Sequence, residues 1–157
     1  MSTNQYHFIT KWEFNASIEE VFKLIENGSD LPRWWPEVYL SAKAEKIGRL
    51  DRIGDKIHFQ TKGWLPYTLH WTAEVISLNV PNHMEIKATG DFIGTGIWTL
   101  SQTGALTKVQ FDWHILAEKP LLRYFSFIAK PIFSWNHHWA MARGFESLKA
   151  ELLRANQ

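Results

Sequence analysis

The feature that most constrains this chain is the run from Glu37 to Leu116. It is almost entirely strand-length segments joined by turns. Segments at about 37–47, 54–62, 67–78, 83–89, 93–102 and 107–116 are rich in β-branched and aromatic residues. Between them stand Gly48 to Gly54, Gly63-Trp64-Leu65-Pro66, Val80-Pro81-Asn82, Thr89-Gly90-Asp91 and Thr103-Gly104. Glycine, proline and asparagine are turn formers because they supply unusual φ values or a fixed one. A parallel pair needs a crossover of a dozen or more residues, so connections this short predict hairpins and an antiparallel meander.

The strands before and after the turns give the sheet two unlike faces. Leu69, Trp71, Ala73 and Val75 share one parity, with His70, Thr72 and Glu74 on the other. Val109, Phe111, Trp113 and Ile115 likewise oppose Lys108, Gln110, Asp112 and His114. Tyr6 to Phe14 repeats the alternation at the N-terminus, with Phe8, Trp12 and Phe14 opposite His7, Lys11 and Glu13. An apolar sheet face has to be covered by another layer. Phe92, Gly94, Gly96, Trp98 and Leu100 form one inner row. Its glycines predict a bulge or a bend, or else room for a ligand.

The cover is supplied by helices. Ser17 and Glu20 form a capping box ahead of Val21, Phe22, Leu24 and Ile25, and Asn27-Gly28 ends that helix. Asp30 to Trp34 predicts a second short turn that closes by Pro36. Pro120 to Leu153 is the one stretch long enough for a major helix, with Pro131 expected to kink or split it. On a 3.6-residue wheel Ser134, Met141, Phe145, Leu148 and Leu152 make one stripe, flanked by His137 and His138. Arg143, Lys149, Glu151 and Arg154 fall on a solvated face. Ile128, Ile132, Trp135 and Trp139 make a second apolar stripe, with Arg123 and Lys130 nearby.

Composition excludes several functions. With no cysteine in 157 residues there is no disulfide, thiolate nucleophile or cysteine metal site. A net charge of +1 without a basic run leaves no electrostatic footprint for nucleic acid. No segment approaches the ~20 apolar residues of a membrane span, and the polar N-terminus is no signal peptide. A cytoplasmic protein of one domain, residues 1–157, is expected, and nothing specifies an oligomer. The nine tryptophans predict either a core of large rings or an aromatic-lined cavity.

Strand, two short helices, six strands and a long C-terminal helix are the order of the helix-grip fold. The chain resembles the START-like or SRPBCC superfamily, and within it the polyketide cyclase/dehydrase group. The resemblance is carried by Ala16-Ser17 to Val21-Phe22, Trp35-Pro36-Glu37-Val38, Gly63 to Tyr67, Gly90 to Trp98, Phe111-Asp112-Trp113 and Trp135 to Met141. It implies an α+β fold in which a curved antiparallel sheet of about seven strands wraps around the last helix. It also implies a cavity between the two that holds lipids, polyketides, sterols or other hydrophobic molecules, in some members with catalysis.

The expected ligand-binding residues are Trp35, Phe59, Trp71, Phe92, Trp98, Trp113, His137, His138 and Met141, with Trp35 and Trp64 in loops at the entrance. His137 and His138 are the catalytic candidates, because an imidazole moves protons near neutral pH. By parity no strand offers an inward carboxylate, so no acid–base pair is evident and ligand binding is the leading expectation. A cyclase or dehydratase is the alternative. A third reading is a peripheral membrane or protein-interaction module using the Trp135 and Trp139 face for transient contact. No metal site is expected: His7, His58, His70 and His114 point outward, and adjacent His137 and His138 lack the i, i+4 spacing of zinc helices. No cofactor is expected either. Gly90 to Gly96 reads G-x-x-x-G-x-G inside a strand with no helix after it, and no G-x-S-x-G accompanies Ser134.

Overall fold

The computed structural model describes residues 5–63, 68–117 and 120–155, with side chains throughout except at 92, 117 and 120–129. The elements are β1 (Gln5–Phe14), α1 (Ile18–Glu26), a 3-10 turn (Gly28–Asp30), α2 (Leu31–Trp34), β2 (Tyr39–Glu45), β3 (Lys56–Thr61), β4 (Leu69–Asn79), β5 (His83–Gly90), β6 (Phe92–Thr103), β7 (Leu106–Ala117) and α3 (Pro120–Ala155). All strand pairs are antiparallel, in the order β1-β7-β6-β5-β4-β3-β2. The meander therefore runs from β2 to β7, and the first strand closes the far edge against the last.

Strand parity follows from local chemistry. Phe8, Trp12 and Phe14 of β1, Leu69, Trp71 and Ala73 of β4, and Val109, Phe111, Trp113 and Ile115 of β7 are all buried. The predicted 37–47 strand is shorter than expected at both ends. The Trp35 carbonyl accepts from Val38 N and Tyr39 N (3.3 and 3.0 Å), which holds 35–39 as a turn. Asp55 Oδ1 accepts from Ile47 N at 2.9 Å and draws the other end into the loop. The turn at Trp64 to Pro66 lies outside the described residues.

The capping box at α1 is present: Ser17 Oγ accepts from Glu20 N (3.2 Å), and Glu20 Oε2 accepts from Ser17 N (3.4 Å). Gln102 Oε1 then accepts from Ile18 N at 3.0 Å, fixing the helix start to β6. Val21 and Phe22 on its inner face are almost wholly buried.

Pro131 does not split the last helix, which runs continuously for 36 residues. A mid-helix proline forfeits one backbone hydrogen bond, at a cost of roughly 3 kcal/mol. Contacts with β1 offset that loss on both sides of it. Lys130 Nζ donates to the Gln5 carbonyl (2.6 Å), and Phe133 packs on Tyr6 with ring centroids 4.7 Å apart. Further along, Phe145 meets Phe14 at 5.2 Å, and Leu148 is wholly buried.

The inner face of α3 is rotated from the expected stripe. Phe133, Asn136, Met141, Gly144, Leu148, Glu151 and Leu152 are buried, whereas Ser134 is only partly so. Gly144 is a point of close approach: a Cβ there would lie 2.3 Å from Trp35 Cζ2. Glu151, expected on the solvated face, is instead buried, with Arg33 Nη2 of α2 at 2.7 Å and Arg154 also bonded to it. The second apolar stripe is divided. Trp139 packs against the core, while Ile132 and Trp135 remain about half exposed (51% and 50%). The side chain of Ile128 lies outside the described residues, as does that of Arg123.

Candidate functional site

Between the concave sheet face and α3 lies a cavity of about 200 Å³. Its sheet wall is a ladder of rings, produced by register rather than by local sequence. Phe59 pairs with Trp71 across β3 and β4, and Trp98 pairs with Phe111 across β6 and β7. The rings then touch in series: Tyr39–Phe59 at 4.9 Å, Phe59–Trp71 at 5.0 Å, Trp71–Trp113 at 5.6 Å, Phe111–Trp113 at 5.4 Å and Trp98–Phe111 at 4.2 Å. These separations lie in the range where aromatic pairs attract beyond simple burial. Gly96 makes room for that ladder and not for a ligand, since a Cβ there would meet Trp113 and Phe111 at 2.9 and 3.0 Å. Gly94 sits against the β7 backbone at His114, where a Cβ has no space.

Of the residues expected at the site, Trp35, Phe59, Trp71, Trp98, Trp113, His137 and Met141 line this cavity. The Phe92 side chain and Trp64 lie outside the described residues. His138 does not line it. One residue along a helix is a rotation of ~100°, which carries His138 to an exposed groove beside Ile9 to Trp12. It meets the edge of Phe8, at 5.7 Å and 80°, and the His137 ring at 5.8 Å and 67°. As a ligand-binding residue or catalytic candidate of the cavity, His138 therefore fails on geometry.

His137 is held quite differently. Its ring stacks on Phe8 with centroids 4.0 Å apart and planes 16° apart. Its Nε2 is buried and finds no hydrogen-bond partner among the described residues. Burial, and then the neighbouring His138 charge, push its pKa down to about 3, so the imidazole is neutral at neutral pH. Two other nitrogens of cavity-lining residues share that condition: the indole Nε1 atoms of Trp34 and Trp35 are buried and unpartnered. Trp71 Nε1, by contrast, donates to Thr61 Oγ1 at 3.1 Å. A buried polar group left unpaired costs about 1–3 kcal/mol, so three on one cavity's lining residues is a concentrated expense.

Sequence reasoning missed two groups. Phe133 and Asn136 line the cavity from α3, because the inner face of the helix is set by Gly144 and the sheet rather than by apolar periodicity alone. A charged rim was also missed. Glu26 at the end of α1, Arg52 and Asp55 before β3 and Lys56 at its first position all border the cavity. Arg52 Nη1 donates to Glu26 Oε2 at 2.7 Å, and its Nε lies 3.9 Å from Asp55 Oδ2. Arg52 adopts φ +62°, a left-handed conformation seldom taken by a residue with a side chain. Only the glycines around it, at 48 and 54, hinted at that geometry. Burial also raises the pKa of Tyr39, another lining residue, so its hydroxyl stays protonated.

The fold has counterparts among known proteins. The family profile described as polyketide cyclase / dehydrase and lipid transport matches residues 7–153. A crystal structure of a Thermus thermophilus protein superposes with a TM-score of 0.78 at 16% identity, covering 97% of this chain and 100% of that one. The Zhui aromatase/cyclase of a Streptomyces species gives 0.74 at 11% identity, covering 98% and 96%. Ginseng major latex-like protein 151 from Panax ginseng gives 0.66 at 9% identity, covering 96% and 99%. At these identities the likeness is one of fold. No curated protein sequence matches significantly.

Proposed function

We propose, from the premise that the chain belongs to the polyketide cyclase / dehydrase and lipid transport family, that it binds a small, largely apolar molecule between its sheet and α3. The observation that carries this reading is the set of three unpartnered buried ring nitrogens, Trp34 Nε1, Trp35 Nε1 and His137 Nε2, on residues that line an aromatic-walled cavity. The two indole N–H groups are donors, and the neutral imidazole nitrogen donates or accepts according to its tautomer. A guest with a ring or chain body and at least one carbonyl or hydroxyl oxygen would satisfy them, and the rings would bury its apolar part. The ligand-binding role then falls to Trp35, Phe59, Trp71, Trp98, Trp113, His137 and Met141, with Trp34 added.

Native mass spectrometry of freshly purified protein tests this directly. The expected result is a co-purified apolar mass released on denaturation, or uptake of one from a panel of fatty acids, sterols and aromatic polyketides. A ligand-free mass together with no uptake from the panel overturns the proposal.

A cyclase or dehydratase with His137 as its proton-moving group is the second reading, favoured by the position of that ring on the cavity. Its depressed pKa weighs against it, because an effective general base has a pKa near the working pH. The carboxylates on the cavity rim, Glu26 and Asp55, are engaged by Arg52. Both facts favour His137 as a hydrogen-bonding group for a guest. Replacement by glutamine separates the readings: a binder loses affinity modestly, and an enzyme loses turnover altogether.

A further inference from the structure

On the outer face of the sheet, away from the cavity, β1 and β7 bring three donor groups together. His7 and His114 are directly opposite in the register. Asp112 lies two residues before His114, on the same face of β7. His7 Nε2 donates to Asp112 Oδ1 at 2.8 Å, and His114 Nε2 lies 3.0 Å from the same oxygen. The two imidazoles stack at 3.7 Å with planes 16° apart, and the three candidate ligand atoms all fall within 4.8 Å of one another. Side-chain exposures of 47% for His7 and 54% for His114 leave the approach open.

We propose that His7, Asp112 and His114 form a surface site for a divalent transition-metal ion that clips the edge strand β1 to β7. Two imidazole nitrogens and one carboxylate oxygen suit Zn²⁺, Ni²⁺ or Cu²⁺, whereas Mg²⁺ and Ca²⁺ favour oxygen-only sets. Tetrahedral Zn²⁺ with bonds of ~2.0–2.1 Å spaces its donors about 3.3 Å apart, so each imidazole–carboxylate contact opens by only a few tenths of an ångström. The rings rotate out of their near-parallel stack to aim both Nε2 lone pairs at the ion, and each then carries its proton on Nδ1. Water completes the coordination. The strands contribute precision, because a cross-strand pair and its i+2 neighbour are fixed by the ladder rather than by a loop.

His58 is the internal comparison. It is also exposed and also meets a carboxylate, Glu45 Oε2 at 2.9 Å, but its other nitrogen meets Thr72 Oγ1 at 2.8 Å. It has no second imidazole beside it in any cluster found among the described residues.

Calorimetric titration of tag-free protein with ZnCl₂ is the test, with MgCl₂ as control and amide hydrogen exchange as a second readout. One saturable Zn²⁺ site with a dissociation constant below about 100 μM is expected. Exchange in β1 should slow at least threefold with Zn²⁺ and not with Mg²⁺. His7→Gln, Asp112→Asn and His114→Gln should each weaken binding by roughly tenfold or more, and His58→Gln should not. Each variant is first shown to match the parent's metal-free melting curve. A variant that does not is replaced by His7→Ala or His114→Ala. No saturable site, equal response to Mg²⁺, or binding undiminished when both His7 and His114 are replaced would overturn the proposal.

Discussion

His137 gives the sharpest quantitative prediction, because its environment fixes both a sign and a size. The native imidazole is pushed down to about 3, while an imidazole in an unfolded chain titrates near 6.5. Above pH 6.5 the ring is neutral in both states and contributes no pH dependence. As pH falls below 6.5 the unfolded chain takes up a proton that the native state refuses, so folding loses about 1.4 kcal/mol per pH unit. By pH 5 the loss is about 2 kcal/mol, and it levels off only near pH 3. Urea unfolding followed by tryptophan fluorescence at pH 7.5, 6.5, 5.5 and 5.0 measures it, in the parent and in His137→Leu. Glu151 also loses stabilisation in acid, since Arg33 holds its carboxyl below the usual range and that stabilisation fades as pH falls through the lowered value. That contribution is common to both proteins, and the difference isolates His137. The parent should lose about 2 kcal/mol more than the variant between pH 7.5 and 5.0. Parallel stability curves would refute the reasoning, and would mean that the Nε2 atom is reached by water or by a partner.

Three further perturbations follow from contacts already described. Gly144→Ala pushes a Cβ into the Trp35 ring (2.3 Å); overpacking of this kind costs about 1–3 kcal/mol and should lower the melting temperature by several degrees. Glu151→Gln weakens the tie between α2 and α3 and should cost about 1–2 kcal/mol, the exposed Arg33 end limiting the loss; chemical denaturation reads it. Arg52→Ala cuts the link between the end of α1 and the loop before β3. It should speed release of a bound naphthalene dye severalfold in stopped-flow fluorescence while leaving the sheet's circular dichroism unchanged.

Most of the fold was legible because its determinants are local. Alternation along β4 and β7, the capping box at Ser17 and the turns at Gly48, Gly54, Gly90 and Gly104 each act over a few residues, and each is present in the structure. The errors cluster where a distant residue decides. Nothing near Glu151 in sequence announces a buried carboxylate; its partner Arg33 arrives from α2, and only tertiary packing makes an ion pair from the two. The wheel centred on Ser134 missed Phe133 for a related reason. Helical periodicity ranks faces by apolarity, and the inner face of α3 includes Gly144, Asn136 and His137, which blur that ranking.

The cavity was only half readable for the same reason. Parity placed Trp71, Trp98 and Trp113 on one face, which is a statement about single strands. Whether those rings fill the interior or leave room depends on their contacts across strands, and on what α3 presents to them. The Phe111–Trp113–Trp71 ladder takes the space in front of Gly96, so the glycine reads as accommodation of protein rings. Room is left instead where α2 and α3 face the sheet. There Trp34, Trp35 and His137 keep buried ring nitrogens unpaired. Each unpaired polar group weakens a packed core, and an apolar side chain in its place would not. Three of them on the lining residues of one cavity support the proposed guest, with its polar contacts on the α2–α3 side rather than on the sheet.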